Sequence, residues 1–286
     1  MYIIEGRSKK RAEIPFKILV YTVCILLTVI CILPFFIMIV NATRSTPQIQ
    51  EHAISLIPST HLSTNWEVLT GKTFDPLRGF TNSIIVSVCT TACTIYFSTL
   101  TAFAIVAYDW KLRGPFFTFI MCVLMIPAQV TCIGFYQFMY KIGFVNSFLP
   151  LILPAIASPT TVFFMRQFMI PSLPMEILQS ARIDGAGEFR IFNQIVLPMM
   201  KPAMATQAIF SFVTSWNNLF LPQILLIRTE KYTMPIMVSL LNGDSYKTEY
   251  GAVYLALLLT VIPLLVVYFA LSKFIIAGVT LGGVKG

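Results

Sequence analysis

Charged residues are scarce in this chain of 286 residues. Only 11% of its positions are Asp, Glu, Lys or Arg, whereas an ordinary soluble domain has about 25%. Hydrophobic residues make up 57% of the chain, and the mean hydropathy is +0.80. No hydrophilic block is long enough to form a soluble domain. The composition therefore predicts an integral membrane protein.

Six stretches of the sequence contain no charged residue at all, and each exceeds the roughly 20 residues that a helix needs to cross a bilayer. We therefore predict an all-α, polytopic protein with six transmembrane helices. The spans are placed near 16–40, 82–107, 115–139, 148–170, 203–227 and 252–276. A leader, 1–15, precedes the transmembrane domain, 16–286. The first span is too long for a signal peptide and is expected to remain uncleaved.

The basic residues predict the orientation of the chain. An even number of spans puts both termini on one side of the membrane. If that side is the cytoplasm, thirteen of the twenty Lys and Arg residues lie inside, as the positive-inside rule favours. These residues are spread over several loops and form no single patch, so the sequence predicts membrane lipid and no nucleic acid as a partner.

Side chains that could perform catalysis or bind a metal are missing from the predicted spans. The six charge-free stretches contain no His, Asp or Glu, which a membrane enzyme needs for acid–base or metal chemistry. An ion-coupled carrier usually needs ionisable residues there as well. All six cysteines fall inside predicted spans, where Cys behaves as a small apolar residue. We expect no catalytic and no metal site.

A nucleotide site is not expected either. "TGKT" at 70–73 ends like a phosphate-binding loop, but the full pattern begins with Gly at a position that is Trp66 here. The segment also lies on the predicted outer side, away from cytoplasmic ATP. No cofactor is therefore expected on this chain.

Uncharged polar residues are the remaining candidates for a substrate path. "SFVTSWNNLFLP" (211–222) combines an aromatic ring, two adjacent amides and a proline. A ring and amides can bind a sugar, but the same residues could form a structural kink. The candidates are Trp216, Asn217, Asn218, Asn82 and Gln129. Other polar residues of the spans, such as Ser83, Ser87 and Gln207, are interpreted first as partners in hydrogen bonds between helices.

A polar passage, "QSARIDGAGEFRIFNQIVLP" (179–198), interrupts the apolar segments within the predicted inside segment 171–201. Gly185 can adopt the left-handed conformation that ends a helix, and Glu188 opens a second apolar-faced segment. The pattern predicts a helix, a glycine turn and a second helix. An amphipathic loop lying on the bilayer remains an alternative from patterning alone.

The passage resembles the EAA loop of the permeases of binding-protein-dependent ABC importers, in its Ala181, Asp184, Gly185 and Ala186 and its Ile-x-Leu-Pro end. Further matches are "FTNSIIVSV" (80–88), "MIP" (125–127), "SFVTSWNNLFLP" and "GVTLGGVKG" (278–286). Together they resemble the carbohydrate-importer branch, and within it the second permease subunit of the maltose type. The resemblance covers roughly 15–286.

The resemblance implies a transport subunit rather than an enzyme, in the cytoplasmic membrane of a bacterium. Its partners would be a sister permease, an ABC ATPase dimer that binds ATP and Mg²⁺, and an extracytoplasmic sugar-binding protein. The loop would be the coupling helix that docks on the ATPase. The residues implied in this contact are Glu176, Gln179, Ala181, Arg182, Asp184, Gly185, Ala186, Leu197 and Pro198.

The start of the loop and the C-terminal tail add two details to the implied contact with the ATPase. The family's loop usually begins with Glu, where this chain has Gln179; Glu176, one turn earlier, could partly replace it. The tail 278–286 resembles a family tail that reaches the ATPase interface, through Gly282, Gly283 and Lys285. The alternative functions are a self-contained secondary carrier, which the charge-free spans disfavour, and a membrane scaffold, which leaves the loop unexplained.

Overall fold

The computed structural model describes residues 2–71, 74–241 and 248–283, and only the backbone of 2–15, 128 and 273–283. All regular structure in these residues is helical. The chain divides into two compact units. One comprises the described parts of Met1–Lys72 and Leu241–Leu259, and the other those of Thr73–Leu240 and Thr260–Gly286.

The first unit contains four helical segments: α1 (Tyr2–Ala42), α2 (Thr46–Glu51), α3 (Leu62–Thr70) and the beginning of α15 (Tyr250–Gly283). Its polar centre is Arg44, which is 6% exposed. The guanidinium donates to Asn41 Oδ1 at 3.0 Å and to the carbonyls of Gln48 and His52. A buried cation needs such partners because its desolvation is costly. These bonds fix the chain where it leaves α1.

The second unit holds α4 to α14 and the remainder of α15. Its longer helices are α4 (Pro76–Ala107), α5 (Arg113–Val123), α6 (Ala128–Lys141), α8 (Pro159–Ser172), α9 (Met175–Ile183), α12 (Lys201–Trp216) and α14 (Met234–Leu241). The short ones are α7 (Leu149–Ile152), α10 (Glu188–Ile191), α11 (Leu197–Met199) and α13 (Phe220–Leu225). A 3₁₀ turn, Leu153–Ile156, joins α7 to α8, and a second one, Thr229–Lys231, precedes α14.

The main apolar core of the second unit surrounds α4, which packs against α8 and α12. The buried side chains of this core come from α4, from α8 and Leu173 after it, from α9, and from the segment that runs from α10 into α12. Phe192 is 1% exposed and meets Phe103 of α4 at a centroid distance of 5.6 Å. The core thus joins the segment 175–200 to three of the longest helices.

The helices reproduce the predicted spans only in part. Among the described residues, four helices are long and apolar enough to cross a membrane: Phe16–Ala42, Pro76–Ala107, Leu149–Ser172 and Tyr250–Ser272. A fifth candidate is a bent pair of helices, Glu188–Met199 and Lys201–Trp216, which meet at 79° and could together form one span. The first, second, fourth and sixth predicted spans therefore coincide with these four candidates, although the fourth contains the 3₁₀ turn Leu153–Ile156 between α7 and α8.

The third and fifth predicted spans are interrupted. The third is divided between α5 and α6, with Pro127 in an extended conformation (ψ 128°) between them. The fifth is divided between α12 and α13 by Asn217–Leu219. Proline lacks the backbone donor that continues a helix, which accounts for the first break. The length of a charge-free stretch alone does not reveal either of these two breaks.

Candidate functional site

The polar passage forms a hairpin of two helices, as the pattern predicted. α9 ends at Ile183, and Gly185 follows with φ of +79°. The Gly185 N–H donates to the Arg182 carbonyl at 3.0 Å, and the Ala186 N–H donates to the Ala181 carbonyl at 2.9 Å. This paired arrangement is a Schellman motif, whose left-handed position favours glycine. We call residues 175–199 the coupling hairpin, after the role that the resemblance implies.

One side of α9 is buried and the other is exposed. Leu178 is 0% and Ala181 is 9% exposed, and both belong to the main core. Glu176, Gln179 and Asp184 are exposed. Glu176 lies in the first helical turn, where a carboxylate complements the helix dipole. The hairpin is therefore anchored by apolar side chains and presents polar ones outward.

Large apolar side chains accompany these polar ones on the exposed side of the hairpin. Ile183 is 86% and Phe189 is 74% exposed. A regular helix would place Phe189 on the same side as Phe192 and Val196, but those two are buried and Phe189 is not. We call Glu176, Gln179, Ile183, Asp184 and Phe189 the hairpin tip. A mixed apolar and polar surface of this kind suits contact with another protein.

An ion pair closes the hairpin. Arg182 Nε donates to Glu188 Oε1 at 2.7 Å, and its Nη2 donates to Oε2 at 3.3 Å. The Tyr108 hydroxyl, just past the end of α4, also donates to Glu188. The Arg182 guanidinium lies 5.3 Å from the centroid of the Tyr108 ring. Three side chains thus connect α9, α10 and the end of α4.

The electrostatics of this cluster follow from its hydrogen bonds. The pKa of Glu188 is lowered, first by the Arg182 hydrogen bond and then by that of Tyr108. The pKa of Arg182 is raised because Glu188 stabilises its charge. The pKa of Tyr108 is raised by burial and then by the neighbouring Glu188 carboxylate. At neutral pH the cluster holds one carboxylate, one guanidinium and a neutral phenol.

The second half of the hairpin continues towards α12. Residues Phe192–Val196 form a π-helical turn, a rare conformation that is often found at functional sites. Leu197 is half-buried, packs against the main core, and is followed by the exposed Pro198. The Ile-x-Leu-Pro end of the loop is therefore where the hairpin meets the long helix.

Trp216 occupies a structural position. Its side chain is 1% exposed, stacks on Phe212 at 5.8 Å, and donates from Nε1 to the Thr260 carbonyl at 3.0 Å. That carbonyl lies three residues before Pro263 within α15. Of the two interpretations that the sequence left open for Trp216, the contacts favour the structural one.

The other substrate-path candidates lie in different surroundings. Asn82 is 8% exposed, and its Nδ2 donates to the carbonyls of Glu230 and Tyr232, both at 2.9 Å. Gln129, in the first turn of α6, and Asn217, at the end of α12, are exposed. Asn218 is the one candidate of the five that lines the polar cavity described below. The structure therefore does not bring the five candidates together.

The cavity that contains Asn218 has a volume of about 470 Å³. We call it the polar cavity. Its hydroxyl and amide groups belong to Thr90, Thr94, Ser158, Thr160, Thr161, Gln207, Ser211, Thr214, Ser215 and Asn218. Gln207, Ser211 and Ser215 recur at a spacing of four along α12. This spacing is a signal in the sequence that the choice of the five candidates did not use.

The remaining predicted residues give less information. Gly282 and Gly283 are the last residues of α15, where only the backbone is described, and Lys285 lies outside the described residues. Among the residues whose side chains the structure describes, no group of three or more His, Cys, Asp or Glu could hold a metal ion.

Comparison with known proteins identifies the family. Residues 94–280 match the model of the binding-protein-dependent transport system inner membrane component. The chain is 33% identical over 259 residues to the arabinooligosaccharides transport system permease protein AraQ of Halalkalibacterium halodurans, covering 90% of this chain and 92% of that one. It is 31% identical over 275 residues to the lactose transport system permease protein LacG of Rhizobium radiobacter, covering 96% and 98%.

One more permease and one solved structure are also similar to this chain. The sn-glycerol-3-phosphate transport system permease protein UgpE of Yersinia pestis is 32% identical over 254 residues, covering 86% of this chain and 89% of that one. A bacterial ABC transporter that imports the acidic polysaccharide alginate contains a chain with a TM-score of 0.76 and 21% identity, covering 92% and 97%. This second likeness shows the fold alone.

These matches confirm the resemblance that the sequence motifs carried. Family membership and several long apolar helices place the chain in the bacterial cytoplasmic membrane as a multi-pass protein. Its relatives are permease subunits of transport systems and not enzymes. The chain belongs to the family of inner-membrane components of binding-protein-dependent transport systems, as a permease subunit.

Proposed function

We propose that this permease subunit imports a sugar or oligosaccharide, driven by ATP hydrolysis on a separate ATPase. Two of the relatives are named for arabinooligosaccharides and lactose, which supports a carbohydrate substrate. The proposed partners are a sister permease, an ATPase dimer that binds ATP and Mg²⁺, and an extracytoplasmic sugar-binding protein. The chain itself is proposed to bind no cofactor.

The observation that carries this proposal is the construction of the coupling hairpin. Its tip exposes Ile183 and Phe189 (86% and 74%) beside Gln179, while Leu178 and Ala181 are buried in the main core. A partner that pushes on the tip would therefore move side chains packed against α4, α8 and α12. That is what a coupling element between an ATPase and a transmembrane path requires.

The residues of the hairpin would serve two different purposes. Glu176, Gln179 and Asp184 would contact the ATPase directly, because they are exposed. Ala181, Arg182, Gly185, Ala186, Leu197 and Pro198 would hold the hairpin in shape and join it to α12. The tail residues Gly282, Gly283 and Lys285 are proposed to reach the ATPase as well. Loss of coupling on deletion of 281–286 would support that role.

The proposed topology keeps six membrane crossings with both termini in the cytoplasm. The two interrupted segments, α5 with α6 and α12 with α13, would each complete one crossing. Irregular backbone inside a membrane is tolerated where it is buried in protein or lines an aqueous cavity. The break after Trp216 is next to Asn218 of the polar cavity, which supports this arrangement.

The experiment that tests the function is purification of the native complex through this chain, followed by reconstitution into proteoliposomes. We expect an ATPase, a second permease and a binding protein to co-purify, and uptake to require ATP and the loaded binding protein. Uptake that follows an imposed ion gradient and ignores ATP would instead establish the secondary carrier.

A further inference from the structure

The polar cavity is lined without a single charge. All of its side chains come from the second unit: from α4, the α7–α8 connection, α8, α12 and the α12–α13 break. Ten of them carry a hydroxyl or an amide, and none is Asp, Glu, Lys, Arg or His. Pro154, Pro159, Pro222 and Phe210 add apolar surface to the lining.

Two interruptions of the predicted spans border this cavity. The 3₁₀ turn Leu153–Ile156 and the residues up to Ser158 interrupt the fourth span, and Asn217–Leu219 interrupts the fifth. Backbone groups released by such breaks need partners at membrane depth. Interrupted helices that surround a shared cavity are the arrangement in which membrane transporters hold polar substrates.

The lining selects one class of molecule. Hydroxyl and amide groups can donate to and accept from alcohol groups, while the prolines and Phe210 offer faces for C–H surfaces. A volume of about 470 Å³ lies within the roughly 300–1,000 Å³ that small-molecule sites occupy. A phosphate or carboxylate would lose its hydration here without gaining a cation.

We propose that this subunit itself binds the transported molecule in the polar cavity, and that the molecule is a neutral sugar rather than an acidic or phosphorylated one. The proposal rests on the proposed import function and adds the place and the class of the substrate. It also departs from the five candidates that the sequence suggested, because only Asn218 remains.

The test uses the complete reconstituted complex at saturating loaded binding protein, so that capture of the sugar by that protein does not limit the rate. Lactose, arabinotriose and sn-glycerol-3-phosphate are the probes. Thr214→Val removes an exposed cavity hydroxyl on α12. Its matched control is Thr206→Val on the same helix, because Thr206 donates to the Pro202 carbonyl and does not line the cavity.

We expect wild-type complex to import lactose or arabinotriose and not sn-glycerol-3-phosphate. Thr214→Val should lower the number of sugars moved per ATP hydrolysed about fivefold, the loss expected for one hydrogen bond. Thr206→Val should leave this ratio unchanged. Equal ratios for the two variants would overturn the cavity as a substrate site, while ATP-dependent uptake by the wild type would still support the import function.

Charged substitutions at the same position test the neutrality of the substrate. Thr214→Lys and Thr214→Glu should lower the ratio to a similar extent, because a neutral sugar cannot compensate either charge. Uptake of sn-glycerol-3-phosphate by the wild type, or a higher ratio with Lys than with Thr, would overturn the neutral class. If wild-type complex moves none of the probes with ATP, the proposed function fails together with the inference.

Discussion

The coupling hairpin and the polar cavity are polar regions of the second unit that differ in charge and in how their polar groups are bonded. The hairpin contains charges, and its central pair, Arg182 and Glu188, is joined by two hydrogen bonds. The lining of the polar cavity contains no charge and many hydroxyl groups. The hairpin is closed by its own ion pair, whereas the polar side chains of the second region surround an open volume of about 470 Å³.

This difference matches two mechanical requirements. A segment that transmits force between proteins should be rigid, so it benefits from a buried anchor, a fixed turn and an internal ion pair. A path that a molecule enters and leaves should bind without strong charges, because tight binding would slow release. The following predictions test the rigidity of the hairpin, from the largest expected effect to the smallest.

The largest effect is expected at the anchor. Leu178→Ala should destabilise the hairpin by about 2–5 kcal/mol, the range for large-to-small changes in a packed core, since Leu178 is 0% exposed. Thermal unfolding of the purified complex measures the loss. Ile177→Ala is the matched control, because Ile177 is 43% exposed and should leave the unfolding temperature within a degree or so. Equal shifts in the two variants would contradict the anchor.

The turn should give the next effect. Gly185→Ala forces an L side chain into φ of +79°, which costs about 1–2 kcal/mol. Gly187 has φ of −68°, and an added Cβ would meet no atom within 4 Å at either glycine. Gly187→Ala should therefore cost less, because it loses only the preference for Gly at the N-cap of α10. The measurement is the ratio of molecules transported to ATP hydrolysed in each variant. Because neither added Cβ meets another atom, a lower ratio for Gly185→Ala than for Gly187→Ala reports the backbone conformation and not a steric clash.

The ion pair should contribute less, because Arg182 and Glu188 are 33% and 46% exposed. Glu188→Gln and Tyr108→Phe should each cost about 0.5–1 kcal/mol, as expected for exposed charge pairs and single hydrogen bonds. A double-mutant cycle on the unfolding of the complex should show that the two losses are not additive, since both remove bonds to one carboxylate. Additive losses would show that Tyr108 acts independently.

The pH dependence of this pair has a definite sign. The pKa of Glu188 is lowered from 4.5, chiefly by the Arg182 hydrogen bond. Its stabilising contribution is therefore complete above pH 4.5 and is lost as the pH falls through the lowered value. The stability difference between wild type and Glu188→Gln should be constant from pH 6 to pH 8 and should shrink in acid.

The sequence predicted the hairpin better than the cavity, and for a physical reason. Gly185 and the charges around it are local signals, because the left-handed turn depends on residues adjacent in the chain. The polar cavity joins residues from Thr90 to Pro222, and its existence depends on where two spans are interrupted. Neither interruption changes the charge-free length from which the spans were predicted.

Trp216 and Asn218 show the same limit at the level of single residues. Both belong to one polar motif, yet Trp216 is 1% exposed and bonded to α15, whereas Asn218 faces the cavity. Two positions along a helix end point in different directions, and only the packing of other helices decides which meets open space. The sequence identified the motif 211–222, but the contact of Trp216 with α15 shows which of the two residues has a structural role.

The smallest predicted effect concerns the hairpin tip, where Gln179 occupies the position that is usually Glu in the family this chain resembles. Gln179 is exposed and can accept a hydrogen bond without carrying charge. Gln179→Glu should strengthen ATPase binding a few-fold at low salt, and the gain should disappear at high salt because exposed charges are screened. Glu176→Gln is the companion variant, and it should weaken binding at low salt if Glu176 partly replaces the missing charge. If neither substitution changes the affinity or its salt dependence, the tip binds through Ile183 and Phe189, and the hairpin is then apolar in its contact as well as in its anchor.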